Sequence, residues 1–247
     1  MQSLRAEVDA NYVRFAASWK GALQSAQIQL APHNARFQES YRRLTTLQAW
    51  RTVLLEPVTT PESLEFFLEA QNDALVSHTL AQLGSWRTAL MSLRSCIENV
   101  VFFLYYKDHP VELELWQRGR HRLPFSSGIT YLKGHPAVEG VPKGLAGLEL
   151  IEKEYSTLSR AVHASAKSFR MTTATSTPTL WSFTPQSISG WSTRERSVIQ
   201  GLNYILLCLF REALCGTRLP NLRKSISLVV PRAKHVAIRQ HYKVSLY

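Results

Sequence analysis

Apolar residues return every three or four positions along most of this chain, the spacing of one face of an α-helix. Leu4, Val8, Tyr12 or Val13, Phe15 and Trp19 predict a first helix from Met1 to about Ala31, broken at Pro32. Phe37, Tyr41, Leu44, Leu47 and Val53 predict a second. It should close before Pro57, because the residue ahead of a proline is pushed out of the helical region. Thr60, Pro61 and Glu62 then supply an N-cap, a proline at the first helical position and an acid in the first turn. Leu64, Phe67, Leu68, Leu75 and Leu80 carry that helix to Gly84. After Ser85 comes a broad apolar stripe of Trp86, Leu90, Leu93, Ile97, Val100, Val101 and Leu104, stopped at Asp108-His109-Pro110.

The span 111–147 is punctuated by proline and glycine and reads as a long connection with one short helix at Glu112 to Gln117. Leu148, Ile151, Tyr155, Leu158 and Val162 predict a helix from about Leu145 to Phe169. The span 172–190 is uncharged and rich in Ser, Thr and Pro, which reads as loop or irregular β. Ser192 and Glu195 fit a capping box that starts the next helix. Its run Tyr204 to Phe210 is apolar all round and belongs at the centre, with Gly216 as C-cap. Leu90, Leu93, Ile97, Leu158, Val162, Leu202, Ile205 and Leu209 are expected to be buried together.

The tail changes period. Val236, Ile238, Gln240, Tyr242, Val244 and Leu246 alternate with His235, Ala237, Arg239, His241, Lys243 and Ser245. Period two predicts a strand with one apolar and one basic face, and Ile226 to Val230 offers a partner. The chain therefore reads as mainly α in three parts. These are an N-terminal helical segment (1–57), a helical bundle (58–217) and a basic tail (218–247) with one or two strands.

Charge adds what periodicity does not. Up to Glu154, 16 Lys+Arg balance 16 Asp+Glu; from Tyr155 on, 13 Lys+Arg face only Glu195 and Glu212, so the formal +11 belongs to the last part. A surface of this kind suits nucleic acid or an acidic protein. It nominates Lys167, Arg170, Arg218, Arg223, Lys224, Arg232, Lys234, Arg239 and Lys243 as nucleic-acid contacts. Three well-separated cysteines without a CxxC pair point to a reducing cytoplasm and buried thiols. No metal and no cofactor are expected. The opening lacks the apolar core of a signal peptide, and no apolar run could span a bilayer, so no membrane is expected.

Two segments carry a resemblance. Residues 93–116 read LRSCIENVVFFLYYKDHPVELELW and residues 155–165 read YSTLSRAVHAS. A helix bearing an Arg and an acid, then a later helix ending in His–small–Ser, resembles the HEPN superfamily. More narrowly, it is similar to HEPN-like helical proteins of bacterial anti-phage and abortive-infection systems, over about residues 60–215. The resemblance implies a four- or five-helix up-and-down bundle, often dimeric, that cleaves RNA or binds nucleic acid. It also implies a catalytic Arg four to six residues before a His, with a polar or acidic residue on an earlier helix. His163 matches the histidine and Glu98 the acid. The nearest arginine, Arg160, stands closer to His163 than the family spacing.

The residues can be read without the family. Arg160, His163, Lys167 and Arg170 fall at i, i+3, i+7 and i+10, a basic stripe on one helix. Metal-independent RNA cleavage needs a base for the 2′-hydroxyl and a cation for the phosphorane, roles His163 and Arg160 could fill. As a structural residue, His163 would instead be buried, its ring bonded inside the bundle against the Arg94–Glu98 helix. Arg94 and Glu98 read as an i,i+4 ion pair, and Phe102, Phe103, Tyr105 and Tyr106 as core. Two functions result. The favoured one is a non-catalytic subunit that docks on a larger protein, such as an ATPase or nuclease of a defence complex, and touches RNA or DNA through its basic back half. A homodimer stays open. The alternative is an endoribonuclease with His163 as base and Arg160 as phosphate ligand.

Overall fold

The computed structural model describes residues 4–163, 169, 181, 183–216 and 218–247. In chain order the helices are α1 (Leu4–Leu30), α2 (Asn34–Trp50), α3 (Glu56–Val58), α4 (Pro61–Gln82), α5 (Trp86–Tyr106), α6 (Pro110–Gln117) and α7 (Phe125–Gly134). They continue as α8 (Lys143–Ala146), α9 (Leu148–Val162), α10 (Pro185–Leu209), α11 (Arg211–Leu214), α12 (Pro220–Ser227) and α13 (His235–Tyr242). The chain is a mainly α helical bundle.

Its centre is α5, packed on α4, α7, α9 and α10, while α2 closes the bundle against α4, α10 and α12. The expected core forms: Leu90, Leu93, Ile97, Leu158, Leu202 and Ile205 are buried, and Val162 and Leu209 are half-buried at its edge. Of the apolar run, Tyr204 to Cys208 is buried residue after residue, and Leu209 and Phe210 are half-buried. Glycine lets α9 approach α10. Gly147 sits at φ 79°, and a Cβ there would come within 2.6 Å of the Gly201 carbonyl oxygen.

Polar groups lock three helices together inside the bundle. Arg43 on α2 donates its Nε to Glu195 Oε2 on α10 at 2.9 Å. Ser40 meets His78 Nδ1 on α4 at 3.0 Å, and Trp191 Nε1 donates to Ser77 at 3.1 Å. Asn203 accepts from Trp50 Nε1 at 2.9 Å and donates to Thr46 at 3.1 Å. Buried polar groups persist only when partnered in this way, and the partners fix the helix register.

Several expectations are corrected. Helix does not stop before Pro57: a π-helical turn, Arg51–Leu55, leads into α3, and its wider winding accommodates the proline. The span 111–147 holds α7 and α8 besides the expected short helix. Helix α10 starts at Pro185, seven residues before the Ser192–Glu195 box. Thr184 caps it, accepting from Ser187 N at 3.2 Å, with Pro185 at the first helical position. That start signal is as strong as the internal one, and it releases Glu195 for Arg43.

The tail is not a strand. Among the described residues its β structure is a single bridge between Gly216 and Val244, and Ile226 lies in α12. The alternating pattern contains Ile238 and Tyr242 at i,i+4, and those two are buried in α13 while Val236 is exposed. A helix satisfies its own backbone, whereas a strand here would need a partner that α12 withholds. Lys243, at φ 57°, ends α13. The tail also packs on the bundle: Leu222, Ile226, Ile238 and Val244 are buried, and the Tyr242 hydroxyl donates to the Leu145 carbonyl at 3.0 Å.

Helix α1 divides. Leu4, Val8 and Tyr12 recur eleven residues on as Phe15, Trp19 and Leu23, then as Ala26 and Leu30. An eleven-residue repeat, at about 3.67 residues per turn, keeps such a stripe nearly straight along the helix. The body buries Ala26 and Leu30, but Leu4, Val8, Tyr12, Phe15 and Trp19 are exposed.

Candidate functional site

The richest polar constellation lies where α5 meets α9. Arg94 and Glu98 share one face of α5, and Arg94 Nη2 donates to Glu98 Oε1 at 2.9 Å, the expected i,i+4 pair. Helix α9 answers with Tyr155 and Ser159. The Tyr155 hydroxyl donates to Glu98 Oε1 at 2.8 Å, and Arg94 Nε donates to Ser159 Oγ at 3.1 Å. The Arg94 guanidinium also lies 4.7 Å from the Tyr155 ring centroid. Burial, reinforced by the bond to Glu98, pushes the Tyr155 hydroxyl pKa up, so it remains a donor.

This network forms one end of a groove of about 650 Å³. Phe102, Trp116 and Phe125 supply aromatic walls, and Arg122 stands at the rim. Phe125 stacks on Tyr155 with centroids 3.5 Å apart. Phe103 and Tyr106 are buried and Phe102 and Tyr105 pack half-buried against the core, as expected, and Phe102 and Tyr106 also line the groove. Trp116, Arg122 and Phe125 were missed. They come from α6, which the sequence marks only as a short helix, and from the following connection and α7, which it reads as linker.

The proposed catalytic trio is divided. His163 follows the last residue of α9 and is exposed, so the expectation of a buried, internally bonded ring is overturned. The reason is a cap the sequence reading missed. Arg87 Nε and Nη2 donate to the carbonyls of Ala161 and Val162 at 3.0 and 2.8 Å, ending α9 early. Arg160 is also exposed, one turn back. Glu98, however, meets α9 at Tyr155, eight residues before His163, about 12 Å along the helix axis. Lys167 and Arg170 lie outside the described residues.

The basic tail sorts into two kinds of cation. Arg218, Lys224, Arg232, Lys234, Arg239 and Lys243 are exposed. Arg218 and Lys243 share a cleft of about 500 Å³ with His241 and Cys215. Arg223 is corrected. It is buried, and its Nη1 donates to the carbonyls of Gly216 and Ser245 at 3.0 and 2.8 Å. It holds the end of the chain to α12 and cannot reach a phosphate. Cys215 is exposed, against the expectation of a core thiol, while Cys96 and Cys208 are buried.

Among the described residues, no cluster of three or more His, Cys, Asp or Glu could hold a metal ion, and no helix is long and apolar enough to cross a membrane. No family model, no curated protein and no solved structure matches this chain.

Proposed function

We propose that the chain is a HEPN-like, non-catalytic subunit of a bacterial anti-phage defence system, acting in the cytoplasm. It holds RNA or DNA on its C-terminal surface and docks on a larger protein. The observation that carries this reading is the set of exposed cations, Arg218, Lys224, Arg232, Lys234, Arg239 and Lys243, in a stretch with no acid after Glu212. Cations in that density release counterions from a phosphate backbone, which drives binding without reading sequence. Docking is supported by the exposed stripe Leu4, Val8, Tyr12 and Phe15 on α1, continued by Trp19 beside Trp181. The separation of Glu98 from His163 favours binding over catalysis.

Fluorescence anisotropy with labelled RNA and DNA tests the reading. Affinity should fall steeply with salt, and unlabelled polyanion should compete. Absence of binding at low salt would overturn it.

A second reading is an endoribonuclease with His163 as base and Arg160 on the phosphate. It is supported by the exposure of both residues at the end of α9. Cleavage that His163→Ala and Arg160→Ala each abolish, with melting unchanged, would establish it over the first.

A further inference from the structure

The groove beside Arg94 and Glu98 has chemistry that a phosphate-binding surface does not use. Both donors that reach Glu98, Arg94 Nη2 and the Tyr155 hydroxyl, bond to Oε1. Among the described residues no hydrogen bond reaches Oε2. The carboxylate lines the groove together with aromatic rings, Phe125 stacked on Tyr155, and Phe102, Tyr106 and Trp116. Trp116 is 40 % exposed, a large ring left partly open although Phe66 lies 4.7 Å away. Arg122 is exposed at the rim and enters none of the ion pairs among the described residues.

Each feature selects part of a ligand. Flat apolar walls accept a planar ring, since base–aromatic stacking is open to any base. An acceptor-only oxygen selects an N–H donor on the ring's edge. The unpaired guanidinium at the mouth selects an anion. A volume of about 650 Å³ lies within the usual range for small-molecule sites.

We propose that this groove binds a single nucleobase bearing an exocyclic amino group, whose N–H donates to Glu98 Oε2, with its phosphate towards Arg122. The inference rests on the nucleic-acid reading above for the polymer, but the groove itself can be tested on mononucleotides. Cytosine and uracil make the sharpest pair, being equal in size. Cytosine offers its amino N4 to a carboxylate. Uracil presents O4 at the same place, and its N3–H lies between two carbonyl oxygens that a carboxylate repels. Glu98 thereby favours one base and opposes the other.

The test is saturation-transfer NMR and calorimetry with CMP and UMP on the full chain, wild type and Glu98→Gln. In the variant, Oε1 keeps its bonds from Arg94 and Tyr155, so the amide nitrogen falls where Oε2 was. The groove then offers a donor in place of an acceptor. CMP should bind wild type roughly tenfold more tightly than UMP, and Glu98→Gln should reverse the order. Arg122→Ala should weaken both alike. Thermal melting of Glu98→Gln checks that the fold is intact. Equal affinity for the two nucleotides, no binding of either, or a preference unchanged in Glu98→Gln would overturn the proposal. RNA binding that persists in those cases would leave the C-terminal reading standing. Loss of RNA binding with the CMP preference intact would sink that reading alone.

Discussion

Tyr155 on α9 and Glu98 on α5, 57 residues apart, are joined by a 2.8 Å hydrogen bond that ties the candidate groove to the bundle's central helix. Because Arg94 bonds to the same Tyr155 oxygen at 2.5 Å, the hydroxyl serves both charged partners. Tyr155→Phe keeps the ring and removes that link. It should lower stability by about 1–2 kcal/mol in a urea titration. Unchanged stability would show that water replaces the hydroxyl at no cost.

The Arg43–Glu195 pair is a different case, because both side chains are almost wholly buried. Arg43→Ala leaves the buried Glu195 carboxyl without its partner and should cost about 3–5 kcal/mol in the same assay. A well-packed double replacement, Arg43→Met with Glu195→Leu, should recover much of that loss.

Glu195 also makes stability depend on pH. Burial raises its pKa to about 7, against the opposing pull of Arg43. A group whose folded pKa is raised contributes stability that is fully present below its unfolded pKa and lost as pH rises through the folded value. The stability of wild type relative to Glu195→Gln should therefore fall as pH rises from 4.5 to 7. His78, whose pKa burial lowers, acts in the opposite sense: its contribution is present above 6.5 and is lost as pH falls. Because His78 remains in both proteins, comparison with Glu195→Gln isolates the carboxyl. Parallel pH profiles for the two would contradict the assignment.

Arg223 is a buried structural cation, set apart from the exposed cations of the tail. Arg223→Ala strands the carbonyls of Gly216 and Ser245 and should cost about 1–3 kcal/mol. Lys234→Ala and Arg239→Ala, both at exposed positions, should change melting little. If Arg223→Ala melted like wild type, the tail would not be anchored there.

Helices with a repeating apolar face were legible in the sequence, because burial against the centre demands that repeat: Leu93, Ile97 and Leu158 all reached the core. The capped start at Thr60 was legible for a local reason, a hydroxyl three residues from the Ser63 N–H it accepts. The tail was misread because Ile238 and Tyr242 satisfy period two and i,i+4 together, and only the position of α12 decides between them. Arg223 could not be told from Lys224 by charge, since the distinction is which one faces Gly216. Of the groove, the Arg94–Glu98 pair was visible as an i,i+4 spacing. Its walls were not, because Trp116, Arg122 and Phe125 are brought to α5 by tertiary packing that no local pattern records. The exposure of His163 likewise depends on Arg87, distant in sequence, capping the end of α9.

The most direct test of the account is the salt dependence of RNA affinity. Full-length chain is compared with a variant carrying Arg218→Ala, Lys234→Ala, Arg239→Ala and Lys243→Ala, in which Arg223 is left in place. With melting temperatures matched, the account predicts weaker binding and a log–log salt slope shallower by roughly 3, about 0.7–0.9 for each phosphate contact removed. The same affinity and the same slope for both proteins would contradict it.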